Sequence, residues 1–192
     1  MYQFLLLSLL ILTVSNTTSA QHHHISGNGY ADSVNKGLIE KDTMKSSPKR
    51  IAMETIGNTH IHIEYGSPGV KGRMIWGGLI AYDQVWATGA HNATTVDFSA
   101  PVTIGGKYIP KGKYALFTIP GKNEWIIIIN TRNKQHLADG YNQAEDLVRV
   151  KVKPMKKDKM VQRLTYLIEK SGNSASIAIE WEYLKVVLPV KL

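Results

Sequence analysis

The chain has 192 residues, 43% of them hydrophobic and 20% charged, with a formal net charge of +8 and no cysteine. That composition excludes a wholly disordered chain, and the length fits one domain with at most an appendage. Without cysteine there is no disulfide, no thiol nucleophile, no Cys-ligated metal centre and no lipidated Cys.

The first element is a targeting segment. Leu5 to Val14 is apolar except for Ser8 and Thr13, which is the length of a signal-peptide core and too short to span a bilayer. Small polar residues follow, and Thr18 and Ala20 take the small-residue positions of a signal-peptidase site. The reading is a signal peptide over residues 1–20, cut before Gln21, although Met1 to Phe4 lacks the usual Lys or Arg. No second apolar run reaches the length of a membrane span, so the mature chain is expected to be non-transmembrane and to act in the periplasm or outside the cell.

Residues 21–45 read as a polar, flexible head. Large apolar residues are few there, too few to offset the entropy of ordering the segment, so it is expected to be mobile or loosely docked. Val34, Leu38 and Ile39 have helical spacing and permit one short helix. His22-His23-His24 can ligate a divalent metal, or form a plain polar tail. Asp32-Ser33-Val34 and Asp42-Thr43-Met44 resemble the short O-glycosylation triplets of secreted Bacteroidota proteins.

From residue 46 to 192 the dominant period is two, which predicts a single all-β domain. Ile61, Ile63 and Tyr65 alternate with His60, His62 and Glu64; Val148, Val150 and Val152 alternate with Arg149, Lys151 and Lys153. Tyr114 to Ile119 and Trp125 to Ile129 are apolar on both parities, as in interior strands. Gly105-Gly106 suits a two-residue hairpin, Pro110-Lys111-Gly112 and Pro120-Gly121-Lys122 are further turns, and parity switches near Glu182, which implies a bulge. Asn142 to Leu147 is the helical candidate inside the domain. Short strands with frequent turns predict an antiparallel β-sandwich, jelly-roll or Ig-like, with at most one short helix.

Candidate chemistry clusters in the glycine-rich middle. Lys71 and Arg73 can hold a carboxylate or phosphate or form a structural ion pair. Trp76 and Trp86 flank that segment and are the candidates for surface stacking, whereas Trp125 and Trp181 sit in apolar strands and read as core. Together Lys71, Arg73, Trp86, His91, Asn92 and Thr94 form the candidate ligand-binding set, placed where sandwich loops gather. His60 and His62 share a strand face and, with His91, can make a three-histidine metal site; that divalent metal is the one cofactor the sequence suggests. His136 and Asp139 can pair as a general base. Seven basic residues and one acid lie between Arg149 and Arg163, read as a charged hairpin loop over Pro154 to Lys159 that keeps an edge soluble. Absence of aromatics there argues against nucleic acid. No Gly-x-Ser-x-Gly elbow is present, so the balance favours a noncatalytic protein.

Five stretches then carry a resemblance. Tyr65-Gly66-Ser67-Pro68-Gly69-Val70-Lys71-Gly72-Arg73 leads into Ile75-Trp76-Gly77-Gly78-Leu79 and Val85-Trp86-Ala87-Thr88-Gly89-Ala90-His91-Asn92-Ala93-Thr94, and later Lys113 to Gly121 is followed by Glu124-Trp125. Across residues 47 to 190 the chain resembles the DUF2911 family of secreted bacterial proteins, common in Bacteroidota. The resemblance implies export and a β-rich domain and carries no established activity. It departs from the usual family string at Ala87, His91 and Asn92, and at Ser67, where many members have Arg. Three readings follow: an exported noncatalytic domain binding an anionic glycan or peptide, whether a small ligand or an envelope polymer; a metal-dependent hydrolase or metal-binding protein using His60, His62 and His91; and a structural envelope component.

Overall fold

In the computed structural model, which describes residues 27–192, the period-two runs become strands joined by short turns. They are β1 (Lys49–Ile56), β2 (Thr59–Gly66), β3 (Thr95–Phe98), β4 (Val102–Ile104), β5 (Lys107–Ile109), β6 (Gly112–Ile119), β7 (Trp125–Asn130), β8 (Asp146–Val152), β9 (Met155–Ser171) and β10 (Ser174–Lys191). One sheet has the order β1-β2-β3-β6-β7-β8 and the other β5-β4-β10-β9, with antiparallel pairing in both. The fold is the antiparallel sandwich that the alternation predicts.

Parity decides which side chains meet between the sheets. Ile61, Ile63 and Tyr65 of β2 turn inward and join Phe98, Leu116 and Ile127 against Leu164, Ile177 and Leu188 of the second sheet. Burying each such aliphatic side chain is worth roughly 1.5–3 kcal/mol. The double-sided apolarity of β6 and β7 has a separate cause. Ala115, Phe117 and Ile128 face out of the sandwich into a small second core, covered by Ala87, Ala93, Leu137 and Tyr141 from two loops. The outer face of the large sheet is therefore half roofed, over β6 and β7, and half open, over β1 to β3.

Turn chemistry agrees with the sequence. Gly105 and Gly106 have φ of 58° and 79°, the positive values a two-residue hairpin between β4 and β5 requires. Register slips on both sides of Glu182, which sits at φ 55°; this bulge lets one continuous β10 present both parities inward.

Two local expectations are corrected. Asn142 to Leu147 holds only a single turn of 3-10 helix, Gln143–Glu145, because Asp146 onward is drawn into β8 beside β7. The basic stretch from Met155 to Lys159 is not a loop but the first part of β9, an edge strand paired with Lys185 and Leu184. Its lysines do guard a sheet edge.

The head, for which the sequence permits one short helix and loose docking, forms such a helix in its described part. Residues Gly27–Asn35 form a helix, α1, with Ala31 and Val34 buried. Asn35 donates to the Arg163 carbonyl (2.9 Å) and accepts from the Arg163 amide (2.8 Å). The strap that follows, 36–46, crosses the Arg163 guanidinium. That group donates to the Asp42 carboxylate (2.7 Å) and to the carbonyls of Met44 (2.8 Å), Ser46 (3.2 Å) and Ser67 (2.9 Å), and it lies 5.3 Å from the Tyr30 ring centre. Arg50 is likewise paired with Asp32. The described part of the head is thus docked through polar contacts that a count of its apolar residues misses.

Candidate functional site

The six candidate binding residues divide between two neighbouring hollows and one buried position. Lys71, Arg73 and Trp86 line a hollow of about 470 Å³; His91 and Asn92 line another of about 500 Å³. Ser47 and Ala90 border both. Thr94 enters neither: it is fully buried and its hydroxyl donates to the Thr88 carbonyl (3.0 Å), so its role is to fix the loop.

The first hollow lies over the tryptophan cluster. Trp86 and Trp181 are stacked with centroids 5.7 Å apart and planes 23° apart, and Trp76 meets both edge-on at 6.0 and 5.8 Å. Trp76 and Trp86 were expected at the surface; instead Trp86 is only 9% exposed and Trp76 packs against the main core. The glycine-rich segment folds over the end of the sandwich and carries its own aromatic side chains inward, which burial of their large area favours. Trp86 Nε1 donates to the Gly89 carbonyl (3.2 Å), while the buried Trp181 Nε1 has no hydrogen-bond partner.

Cations form the rim of this hollow. Lys71 sits at φ 50° before Gly72 at φ 67°, a turn that sends its ammonium back to the Met44 carbonyl of the strap. Arg73 donates to the Gly69 and Val70 carbonyls. Lys45 of the strap completes the rim. Among the described residues no carboxylate pairs with Lys71 or Arg73, so the structural ion pair expected as their alternative role is not formed. Among the described residues no acidic side chain lines the hollow.

The second hollow marks the boundary between the roofed and open halves of the large sheet. Strand alternation turns Val96 and Phe98 inward and Thr95 outward, so Thr95 forms its floor. Ala90 to Ala93 and Asn133 to Gln135 form the roofed side, and Lys49, Glu64 and Lys113 the open side. Glu64 is the hub of that open side. Its carboxylate lies 2.9 Å from Lys49 Nζ, 3.7 Å from Lys113 Nζ and 3.4 Å from His62 Nε2. The hydrogen bond from Lys49 leads the effects that hold the Glu64 pKa below its ordinary value, against a smaller opposing push from burial.

His60 and His62 line a third, shallower hollow with Asp97 and Ser99, and their rings are 6.2 Å apart. His91 is in the second hollow instead. Among the described residues no group of three or more His, Asp or Glu side chains is placed to hold a metal ion. The three-histidine arrangement is corrected for a simple reason: His91 hangs on a loop bound to Leu137, whose amide donates to the His91 carbonyl (2.9 Å), while His60 and His62 stand further along β2. His136 Nδ1 and the Asp139 carboxylate do pair, at 2.9 Å, but both are about two-thirds exposed. The His22–His24 run lies outside the described residues.

Sequence reasoning missed Lys45, Ser47, Lys49, Thr95 and Lys113. The one local signal was for Thr95, a polar residue at the outward parity of a short apolar strand; the others become site residues only through which loop covers which strand.

A family model described as DUF2911, protein of unknown function, matches residues 47–190, three quarters of the chain. The chain belongs to that family. No curated protein and no solved structure matches it. Lys45 and Ser46, which line the tryptophan hollow, lie just outside the matched span.

Proposed function

We propose that this DUF2911 chain is an exported, noncatalytic binding domain of the periplasm or cell envelope, and that it takes an anionic glycan in the hollow over Trp86 and Trp181. The observation that carries the reading is the rim: Lys45, Lys71 and Arg73 surround an aromatic floor with no acidic side chain among the lining residues. Fixed cations favour a carboxylate or phosphate beside them, and the little indole area left exposed gives the hollow an apolar floor rather than an open stacking face. Lys71 and Arg73 are held on backbone carbonyls, so little side-chain freedom remains to be lost on binding. The apolar run Leu5 to Val14 supports export.

Calorimetric titration of the mature chain with an acidic oligosaccharide, its neutral counterpart and an acidic peptide tests this. The acidic sugar is expected to bind and the neutral one to bind at least tenfold more weakly, since a hydrogen bond to a charged group contributes about 1.5–3 kcal/mol. Arg73→Gln with Lys71→Gln is expected to remove the difference. Equal binding of the acidic and neutral sugars overturns the anionic reading, and binding of the peptide alone replaces the glycan. Export is checked by the N-terminus of the secreted chain, expected at Gln21; an uncut chain in the cytoplasm rejects it.

A further inference from the structure

We propose that the hollow over Thr95 is an oxyanion-binding site that seats a carboxylate or phosphate group at its floor, and that the Thr95 hydroxyl is its central donor. This site is distinct from the tryptophan hollow and does not rest on it. Thr95 is only 8% exposed and its Oγ1 is buried without a hydrogen-bond partner among the described residues. A buried hydroxyl is almost always paired, because leaving it unpaired forfeits the bonds it made to water. Strand alternation aims this one at the hollow, where an acceptor oxygen would satisfy it.

The charges around the floor select the sign of the ligand. Lys49, Lys113 and Lys134 line the hollow together with one carboxylate, Glu64. Lys49 is the cation closely bonded to that carboxylate, Lys113 stands off at 3.7 Å, and no described carboxylate pairs with Lys134. Two ammonium groups are therefore left to turn toward an anion, whereas a cation at Glu64 would have to displace lysines already there. The wall is fixed in an unusual shape: His91 holds φ 70°, a left-handed conformation that a non-glycine residue keeps only when its surroundings impose it, and such positions concentrate at ligand sites.

Nuclear magnetic resonance of the isotope-labelled mature chain reads the site directly. Inorganic phosphate, galacturonate and galactose are titrated separately, following the amides of Ala93, Thr95 and Asn133. Saturable shifts are expected with at least one anion and none with galactose; phosphate alone points to a phosphorylated ligand, galacturonate alone or together with phosphate to a carboxylate one. Thr95→Val is expected to weaken binding at least tenfold with an unchanged or higher melting temperature, since it deletes an unpaired polar atom, and Thr95→Ser is expected to retain binding. Lys113→Gln and Lys134→Gln, both at exposed positions, are each expected to weaken it severalfold in a folded protein. Absence of saturation with both anions overturns the proposal, as does wild-type binding by Thr95→Val or equal loss in the Ser and Val variants. The indole N–H signals of Trp86 and Trp181 report the other hollow separately, so failure of one site is distinguishable from failure of the other.

Discussion

Arg163 and Glu64 each gather several partners, yet one is sealed and the other open. The Arg163 side chain is fully buried against an Asp42 side chain only 6% exposed, and three backbone carbonyls share its donors. Glu64 is 29% exposed and its lysines more so, Lys49 at 70% and Lys113 at 41%. Burial makes the first centre indispensable, because neither charge has water to fall back on. Exposure makes the second exchangeable: each of its pairs is weak and screened by salt, so an incoming anion can replace one. The same chemical groups hold the fold in one place and leave a site free in the other.

The sharpest way to break this contrast is at Arg163. Arg163→Ala strands Asp42 and removes the clamp on the strap, an expected loss of about 3–5 kcal/mol, read by chemical denaturation. Limited proteolysis is expected to cut within 36–46 in this variant and not in the wild type. The strap carries Lys45 and accepts the Lys71 ammonium at Met44, so acidic-sugar binding should fall along with stability. A variant as stable as the wild type would show that the buried pair contributes nothing net.

Next in size is Gly66, which lies between the two hollows. A Cβ there would run into the Ala90 carbonyl, and Ala90 is wall to both. Gly66→Ala is expected to cost about 1–3 kcal/mol, the usual range for overpacking, and to weaken both ligands together. If only one ligand is affected, the two hollows do not share a rigid wall. Binding of galacturonate and of the acidic oligosaccharide, measured on the same sample, decides between these outcomes.

How much of this was legible in the sequence follows from the range of the interactions. Strand parity is a local property, so Ile61, Ile63 and Tyr65 and the bulge at Glu182 could be read directly. The signal-peptide expectation falls on residues outside the described structure. The strap could not be read, because Asp42 and Arg163 are 121 positions apart and the contact is polar, leaving no apolar pattern behind. Trp76 and Trp86 were misplaced for a related reason: glycine density signals a turn-rich segment but not whether it folds over the core. Lys71 and Arg73 were correctly grouped with Trp86, since one short segment delivers all three to the same rim. His60, His62 and His91 were wrongly grouped, since joining them required knowing where a loop lands on a sheet.

The smallest effect tests the open centre itself. Lys49 and Lys113 stabilise the charged form of Glu64, whose native pKa is therefore depressed. A depressed carboxylate contributes stability that is complete above its unfolded value, ~4.3, and is lost as pH falls through the native value. Glu64→Gln is thus expected to flatten the decline of the melting temperature in that acidic window while costing about 0.2–1 kcal/mol at neutral pH, the range for exposed pairs. The same substitution removes the negative charge that competes for Lys113. If the hollow over Thr95 takes an oxyanion, its affinity at neutral pH should rise about 1.4- to fivefold, the same energy range expressed as a ratio. Weaker anion binding in Glu64→Gln would mean that the carboxylate positions the lysines for the ligand rather than competing with it, and the contrast between a sealed centre and an exchangeable one would fail at the exchangeable end.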